Sequence, residues 1–272
     1  MTATDRVGLR EAAERLGVHY MTVYHYVRTG RLAAEREGAT WLVERADLEA
    51  LATSGTRSAA PERPARPTRL AQRMVRGDEA GAWAIVEGAM ASGASPAAVY
   101  EDLLVPALRS VGDRWAAGAI SIADEHRASV VATRVIGRMG PRFARRGRSR
   151  GTVVLGAPAG ESHALPVAIV ADLLRAAHLE PIDLGANAPA ASFAETAAGA
   201  DRLVAVLLGV TAEGLEGAVR ETIGAVAHGV AVPVLVGGRA IRDRAHALSL
   251  GAAGWTGPSA ASAVAAVEAL LV

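Results

Sequence analysis

The sequence predicts a multidomain α plus α/β chain. A helix, turn, helix and hairpin unit over residues 1–52 is followed by a linker (53–67), a four-helix bundle (68–150) and a doubly wound parallel sheet (151–272). Three observations predict it. Residues 9–29 hold two short amphipathic stretches separated by Gly17-Val18. Residues 68–146 are rich in Ala and Leu at helical spacing, broken at Gly77, Gly93-Ala94-Ser95 and Gly118. From Gly151 onward, short β-rich runs alternate with helical runs, which is the pattern of a sheet covered by helices. The strand candidates are Thr152–Gly156, Pro181–Leu184, Leu203–Leu208, Val232–Val236 and Ala253–Trp255.

Bulk properties exclude several classes. Hydrophobic residues make up 51% of the 272, too many for a disordered chain. Cysteine is absent, so disulfides, thiolate metal sites and cysteine nucleophiles are ruled out. No apolar run reaches membrane-spanning length, and the first residues lack the order of a signal peptide, so a cytoplasmic protein is expected. The net charge of +1 conceals clustering. All 29 basic residues are arginine; residues 53–76 carry six with one Glu, and residues 138–150 carry six with no acid. Such clusters are commonly solvated faces, and they are also what phosphate contact requires.

In the first unit, Leu9–Leu16 reads as a helix with Ala12, Ala13 and Leu16 inward. His19–Thr29 reads as a second, with Val23 and Val27 inward. The outward face then carries Tyr20, Thr22, His25, Tyr26 and Arg28, side chains able to donate, accept or stack in a major groove. Leu32–Val43 reads as a hairpin around Glu37-Gly38, with Arg36 and Thr40 near its tip. The strings LREAAERLGV, TVYHYVRTGRL, GATWLV and RADLEAL resemble the excisionase and MerR-type winged helix-turn-helix family. That resemblance implies binding to double-stranded DNA through the second helix and the wing. Residues 1–52 carry seven Arg and eight acids, so one such unit gains little from counterion release. Dimerisation or help from the Arg-rich linker is expected.

In the bundle, Ser121 and Asp124 have capping-box spacing, so a helix starts there with Glu125 and His126 in its first turns. A bend at Gly118 brings Trp115 back toward them. A tryptophan in an Ala-rich bundle is most often core, and a Glu-His pair most often surface. The spacing of Trp115 to Glu125-His126, within DLLVPALRSVGDRWAAGAISIADEH, is similar to that of CarH- and LitR-type light-responsive regulators, which bind adenosylcobalamin. The resemblance implies that Trp115 caps the upper face of the corrin and that Glu125 contacts the adenosyl group. It also implies that His126 is open to the cobalt once the upper ligand leaves.

The first strand of the sheet region, Thr152–Gly156, leads into GAPAGESHALP. His163 falls where a helix should begin, at the carboxyl edge of the sheet where such folds bind ligands. A neutral imidazole is a good metal ligand, and Glu161 is placed to fix its tautomer directly or through water. A lone histidine at a helix start is otherwise most often structural. The segment resembles Rossmann-like cobalamin-binding domains, whose acid-x-His-x-x-Gly motif supplies the lower axial ligand. By that resemblance His163 is the cobalt ligand, with Glu161, Gly209, Gly237 and Gly238 lining the cofactor site. Two positions depart from the pattern: Pro166 replaces the last Gly, and Gly209 stands where a Ser is expected. In the family both adjoin the nucleotide tail of the cofactor.

The expected function is a DNA-binding transcriptional regulator, a repressor, that senses cobalamin as adenosylcobalamin and responds to light through the cobalt–carbon bond. The expected assembly is a homo-oligomer, dimer or tetramer. No Ser-His-Asp set and no Walker loop is present, so no enzyme is expected. A corrinoid methyl carrier and a B12-independent regulator sensing another ligand remain open.

Overall fold

The computed structural model describes residues 6–16, 20–28, 32–38, 40–54 and 66–271. Its chain divides into two compact units, Met1–Pro64 and Ala65–Val272.

The first unit comprises β1 (Arg6–Gly8), α1 (Leu9–Leu16), α2 (Tyr20–Arg28), β2 (Glu35–Glu37), β3 (Thr40–Glu44) and α3 (Arg45–Ser54). The three strands form an antiparallel sheet in the order β1-β3-β2. Gly38, with φ of 61°, sits at the tip of the hairpin, a backbone region that a side chain would disfavour. Leu9, Ala12 and Ala13 of α1 meet Val23 of α2, Leu32, Val43 and Leu48 in a small core. This core sets the inward faces anticipated from the spacing of the apolar residues. The predicted linker is shorter than read at both ends. Residues 53 and 54 complete α3, and residues 66 and 67 open α4, where Pro67 lies in the first turn and its missing N–H breaks no helical bond. Residues 55–65 of that linker, the Gly17-Val18 turn and Thr29 lie outside the described residues.

The second unit opens with α4 (Arg66–Val75), α5 (Glu79–Ala91), α6 (Pro96–Ala98), a π-helical turn (Val99–Leu104), α7 (Val105–Ala116) and α8 (Ile122–Met139), followed by a 3-10 turn (Gly140–Phe143). Gly77, Gly93 and Gly118 mark the breaks with φ of 71°, 96° and 69°. Ser121 and Asp124 form the expected reciprocal capping box at the start of α8; such a cap stabilises by about 1 kcal/mol. Buried residues on α8 recur at 128, 131, 132, 135, 136 and 139, one stripe of a 3.6-residue period. They pack on Leu70, Met74, Val86, Tyr100 and Leu104.

The sheet strands are β4 (Thr152–Gly156), β5 (Glu180–Asp183), β6 (Leu203–Gly209), β7 (Val234–Gly237) and β8 (Gly254–Trp255). All pairings are parallel, in the order β5-β4-β6-β7-β8. Between and after them run α9 (Leu165–Ala176), α10 (Ala190–Gly199), α11 (Glu216–Gly229), α12 (Arg244–Ser249) and α13 (Ala260–Glu268). The direction of winding reverses between β4 and β6, so the loops after these two strands flank the switch point where open sheets bind ligands. Separate apolar cores cover the two faces. Ile169 and Leu173 of α9 are buried in the same core as the preceding helices, which fixes the helical layer against this side of the sheet.

Candidate functional site at the carboxyl edge of the sheet

The loop from Pro158 to Ala164 follows β4 and is pinned on both sides. Pro158 bridges to Ala188, and Asn187 closes the near side: its side-chain oxygen accepts from the Gly160 N–H at 2.8 Å, and its own N–H donates to the Glu161 carbonyl at 2.8 Å. Gly160 has φ of 86° and Asn187 φ of 55°, conformations that Gly and Asn adopt at little cost. On the far side, the Glu161 carboxylate accepts from the Thr211 N–H at 2.5 Å and the Ala212 N–H at 2.7 Å. These two N–H groups belong to the loop after β6, so Glu161 staples together the two loops at the switch point.

The other oxygen of Glu161 accepts from the His163 main-chain N–H at 3.0 Å and lies 2.5 Å from His163 Nδ1. A carboxylate only accepts, so Nδ1 carries the proton and Nε2 keeps its lone pair. Glu161 is wholly buried, whereas half of the His163 side chain is exposed. Burial by itself pushes the Glu161 carboxyl up. The N–H groups of Ala212, His163 and Thr211 and the imidazole outweigh it, and the carboxyl titrates below its ordinary value. The result is a fixed, outward-facing imidazole nitrogen, the arrangement that suits a single axial ligand to a metal. Of the two routes expected, direct or through water, the contact between Glu161 and His163 is direct. Among the described residues no cluster of three or more His, Cys, Asp or Glu side chains could hold a bare metal ion. His163 offers a single imidazole nitrogen, the donor that a metal bringing its other ligands with it would need.

The helical layer reaches this edge through α7. Arg239, the residue after Gly237-Gly238, lies 3.7 Å from Asp113 of α7. Asp113 lines an open cleft of about 480 Å³ along α7, together with Pro106, Arg109, Ser110, Arg114, Ala117 and Ala119. Trp115 follows two residues later and is 49% exposed, so it is not the core residue that a tryptophan in an Ala-rich helical stretch most often is. On α8, Glu125 accepts from Ser129 Oγ at 2.7 Å and from His126 Nδ1 at 2.8 Å. His126 thus repeats the His163 pattern, an exposed imidazole held through Nδ1 with Nε2 open.

The glycines have reasons internal to the protein. A Cβ on Gly237 would overlap the Thr256 hydroxyl. Gly238, with φ of 106°, runs so close to Val210 that a Cβ would stand 2.8 Å from the Val210 nitrogen. Gly209 does not open space, as the loss of a serine side chain would predict; a Cβ there would meet Val167 Cγ2 at 3.1 Å, so the valine of α9 already fills the position. Pro166, next to it, is in the first turn of α9. The imidazole nitrogen of His163 suits a metal, while Val167 crowds the space beside Gly209.

In the first unit Tyr20 is 43% exposed, and Arg36 and Thr40 are exposed on the hairpin, where Arg36 lies opposite Trp41. Tyr26 departs from the outward placement expected of it: it is half-buried against the small core. The side chains of Thr22, His25 and Arg28 lie outside the described residues. Sequence reasoning missed Asn187, Thr211, Ala212, Asp113 and Arg239. Only Asn187, in the turn-like string LGAN, carried a local signal, as an asparagine suited to a left-handed turn.

Comparison with known proteins follows the same division. Residues 7–56 match the family model of a helix-turn-helix domain, and residues 68–139 match that of a B12 binding domain. The second match includes Trp115, Glu125 and His126; Glu161 and His163 lie beyond it. No curated protein matches the chain. Among solved structures, the monomethylamine corrinoid protein of Methanosarcina barkeri is 19% identical with a TM-score of 0.64, covering 74% of this chain and 96% of its own. A cobalamin-binding protein from Desulfitobacterium hafniense is 21% identical with a TM-score of 0.40, covering 74% and 96%. The methanol:cobalamin methyltransferase complex of Methanosarcina barkeri is 20% identical with a TM-score of 0.41, covering 84% and 92%. The first likeness shows the shared fold of helical layer and parallel sheet. The chain thus joins an N-terminal helix-turn-helix segment to a B12 binding domain segment. Among the described residues, no helix is long and apolar enough to cross a membrane.

Proposed function

We propose that this chain is a DNA-binding transcriptional regulator, a repressor of the MerR type, that senses cobalamin in its adenosyl form and light through it. The observation that carries this reading is the buried Glu161 holding His163 with Nε2 free at the switch point of the sheet, in a chain whose amino-terminal residues match a helix-turn-helix domain. His163 would hold the cobalt through Nε2, and Glu161 sets its tautomer. Trp115, with its exposed ring, Glu125, with its carboxylate, and His126, as a second nitrogen donor, would hold the other side of the cofactor. When bound, adenosylcobalamin supplies a cobalt that accepts an axial nitrogen and a cobalt–carbon bond that light breaks. The proposed DNA contacts come from a winged helix-turn-helix, through Tyr20, Thr22, His25, Arg28, Arg36 and Thr40. Tyr26 contributes through packing, because it is held against the core. The proposed active form is a dimer or tetramer. Bound ligand biases such an assembly only through contacts that differ between its states, and an assembly with several heads loses most of its avidity when it falls apart.

Absorption spectra with added adenosylcobalamin, in the dark and after green light, test the reading. Corrin bands that co-purify with the protein, change on illumination and are lost in His163→Ala are expected. A protein that binds no corrinoid, or a His163→Ala variant with unchanged affinity and spectrum, overturns the cofactor assignment. Light scattering before and after illumination reports the assembly. Constant mass with constant DNA affinity removes light sensing. Arg28→Ala with Arg36→Ala is expected to weaken DNA binding and lower its salt dependence.

A further inference from the structure

Residues 138–150 run from the last turn of α8 into β4, at the amino edge of the sheet and so at the opposite end from His163. The segment RMGPRFARRGRSR has six arginines and no acid. The structure shows which of these charges already have partners. Arg138 pairs with Glu79 at 3.1 Å and Arg150 with Glu268 at 2.5 Å. Arg142 donates to the Arg138 carbonyl at 2.8 Å, and both guanidinium groups lie 5.3 Å from the centre of the Trp83 ring. Arg145 donates to the Ala176 carbonyl at 3.3 Å. Arg202, the residue before β6, donates to the carbonyls of Ser149 and Arg150. Bonds to carbonyls and an aromatic face orient a guanidinium without neutralising it. Arg146 and Arg148 are exposed and meet no carboxylate among the described residues. Asp172, beside Gly140, is buried and taken up by Tyr100 and Arg175, and no ion pair among the described residues joins Asp201 or Glu180 to the segment.

We infer that this arginine surface is a second contact for the phosphate backbone of duplex DNA, separate from the helix-turn-helix unit. The inference rests on the DNA-binding reading above. Charge balance favours a nucleic acid as the partner. Residues 1–52 hold seven Arg and eight acids, so the amino-terminal unit brings no net positive charge to DNA, and cations elsewhere in the chain would add to the few phosphate contacts it can make. Guanidinium forks suit phosphate oxygens in a way that depends little on base sequence. A bilayer is the poorer partner. The large apolar side chains of the segment, Met139 and Phe143, are 0% and 1% exposed, which leaves only the small Pro141 and Ala144 to meet an acyl region.

Fluorescence anisotropy of the full chain on a labelled random-sequence duplex, over a series of salt concentrations, tests this. Arg145→Ala, Arg146→Ala and Arg148→Ala together should weaken binding by roughly 10- to 100-fold near physiological salt. The slope of log affinity against log salt should fall by about 2–3, near 0.9 for each phosphate no longer neutralised. Charge reversal in Arg146→Glu with Arg148→Glu should weaken it at least as much, and a thermal melt of each variant checks folding. An unchanged affinity and slope in a folded variant overturns the inference and leaves the helix-turn-helix reading standing. Binding to phosphatidylserine vesicles with no loss of DNA affinity overturns it in favour of a membrane surface. If the unaltered chain binds no duplex at all, both readings fall.

Discussion

Glu161 is wholly buried and spans two loops, with one carboxylate oxygen on His163 Nδ1 and the other on the N–H groups of Thr211 and Ala212. An acid this far from solvent is tolerated because each oxygen is met by donors. The same contacts orient the imidazole, so the position of His163 and the closure of the sheet edge depend on one side chain.

Glu161→Gln keeps the shape but turns one oxygen into an N–H donor, which must face either the imidazole proton or the two main-chain donors. A loss of about 1–3 kcal/mol in unfolding free energy is expected. Urea denaturation measures it. A variant with the parent's midpoint and slope would show that the carboxylate does not hold the loops together.

The pH dependence has a definite sign. The Glu161 carboxyl titrates below its ordinary 4.5 in the folded chain. Its contribution is therefore fully present above the unfolded value and is lost as pH falls through the folded one. The gap between the parent and Glu161→Gln should be widest near neutrality and close on the acid side. Urea midpoints taken from neutral pH downward give the curve, and a constant gap would contradict it.

Tyr100 donates to Asp172 at 2.6 Å, and Arg175 pairs with the other oxygen of Asp172 at 2.6 Å. Tyr100 lies in the π-helical turn and Asp172 in α9, so this buried bond ties the helical layer to the helix that follows His163. Burial, first, and the hydrogen bond to the carboxylate, second, push the Tyr100 phenol far above its usual range, which keeps it a neutral donor. Tyr100→Phe should cost about 1–3 kcal/mol, because Asp172 stays buried with one bond fewer. A double-mutant cycle with Asp172→Asn should show a coupling of about 0.5–3 kcal/mol. Additive losses would mean that the two residues act independently.

Gly209 and Val167 are complementary. Gly209→Ser forces a side chain against Val167 Cγ2 and should destabilise by about 1–3 kcal/mol, with Val167→Ala relieving most of the loss. Thermal melts of the two single variants and the double variant decide it. If the double variant is no more stable than Gly209→Ser, the crowding lies elsewhere. The same Val167→Ala change tests whether the closed space limits corrinoid binding, since it should raise affinity for adenosylcobalamin if the nucleotide tail belongs there.

Much of the architecture was legible from local pattern. The alternation of β-rich and helical runs located all five parallel strands to within two residues at each end, and the capping spacing of Ser121 and Asp124 placed the start of α8. His163 and Glu161 were legible as a pair because they are two residues apart. Tyr26 was misjudged because helical spacing alone does not show how far a small core reaches around a helix.

The sequence by itself determined the elements, their order and the chemistry available in each loop, because hydrophobic period, turn residues and caps act over a few neighbours. Only the tertiary structure decided which distant groups meet. Thr211 and Ala212 reach Glu161 across fifty positions through main-chain N–H groups, which no residue type announces. Val167 fills the space over Gly209, and Asp113 meets Arg239, because α9 and α7 pack where the sheet and its twist direct them. Arg146 and Arg148 emerge as uncompensated charges because Glu79 and Glu268 fold back onto their neighbours instead. Charge and shape complementarity between segments far apart in the chain are properties of packing, and packing is set by all the elements at once.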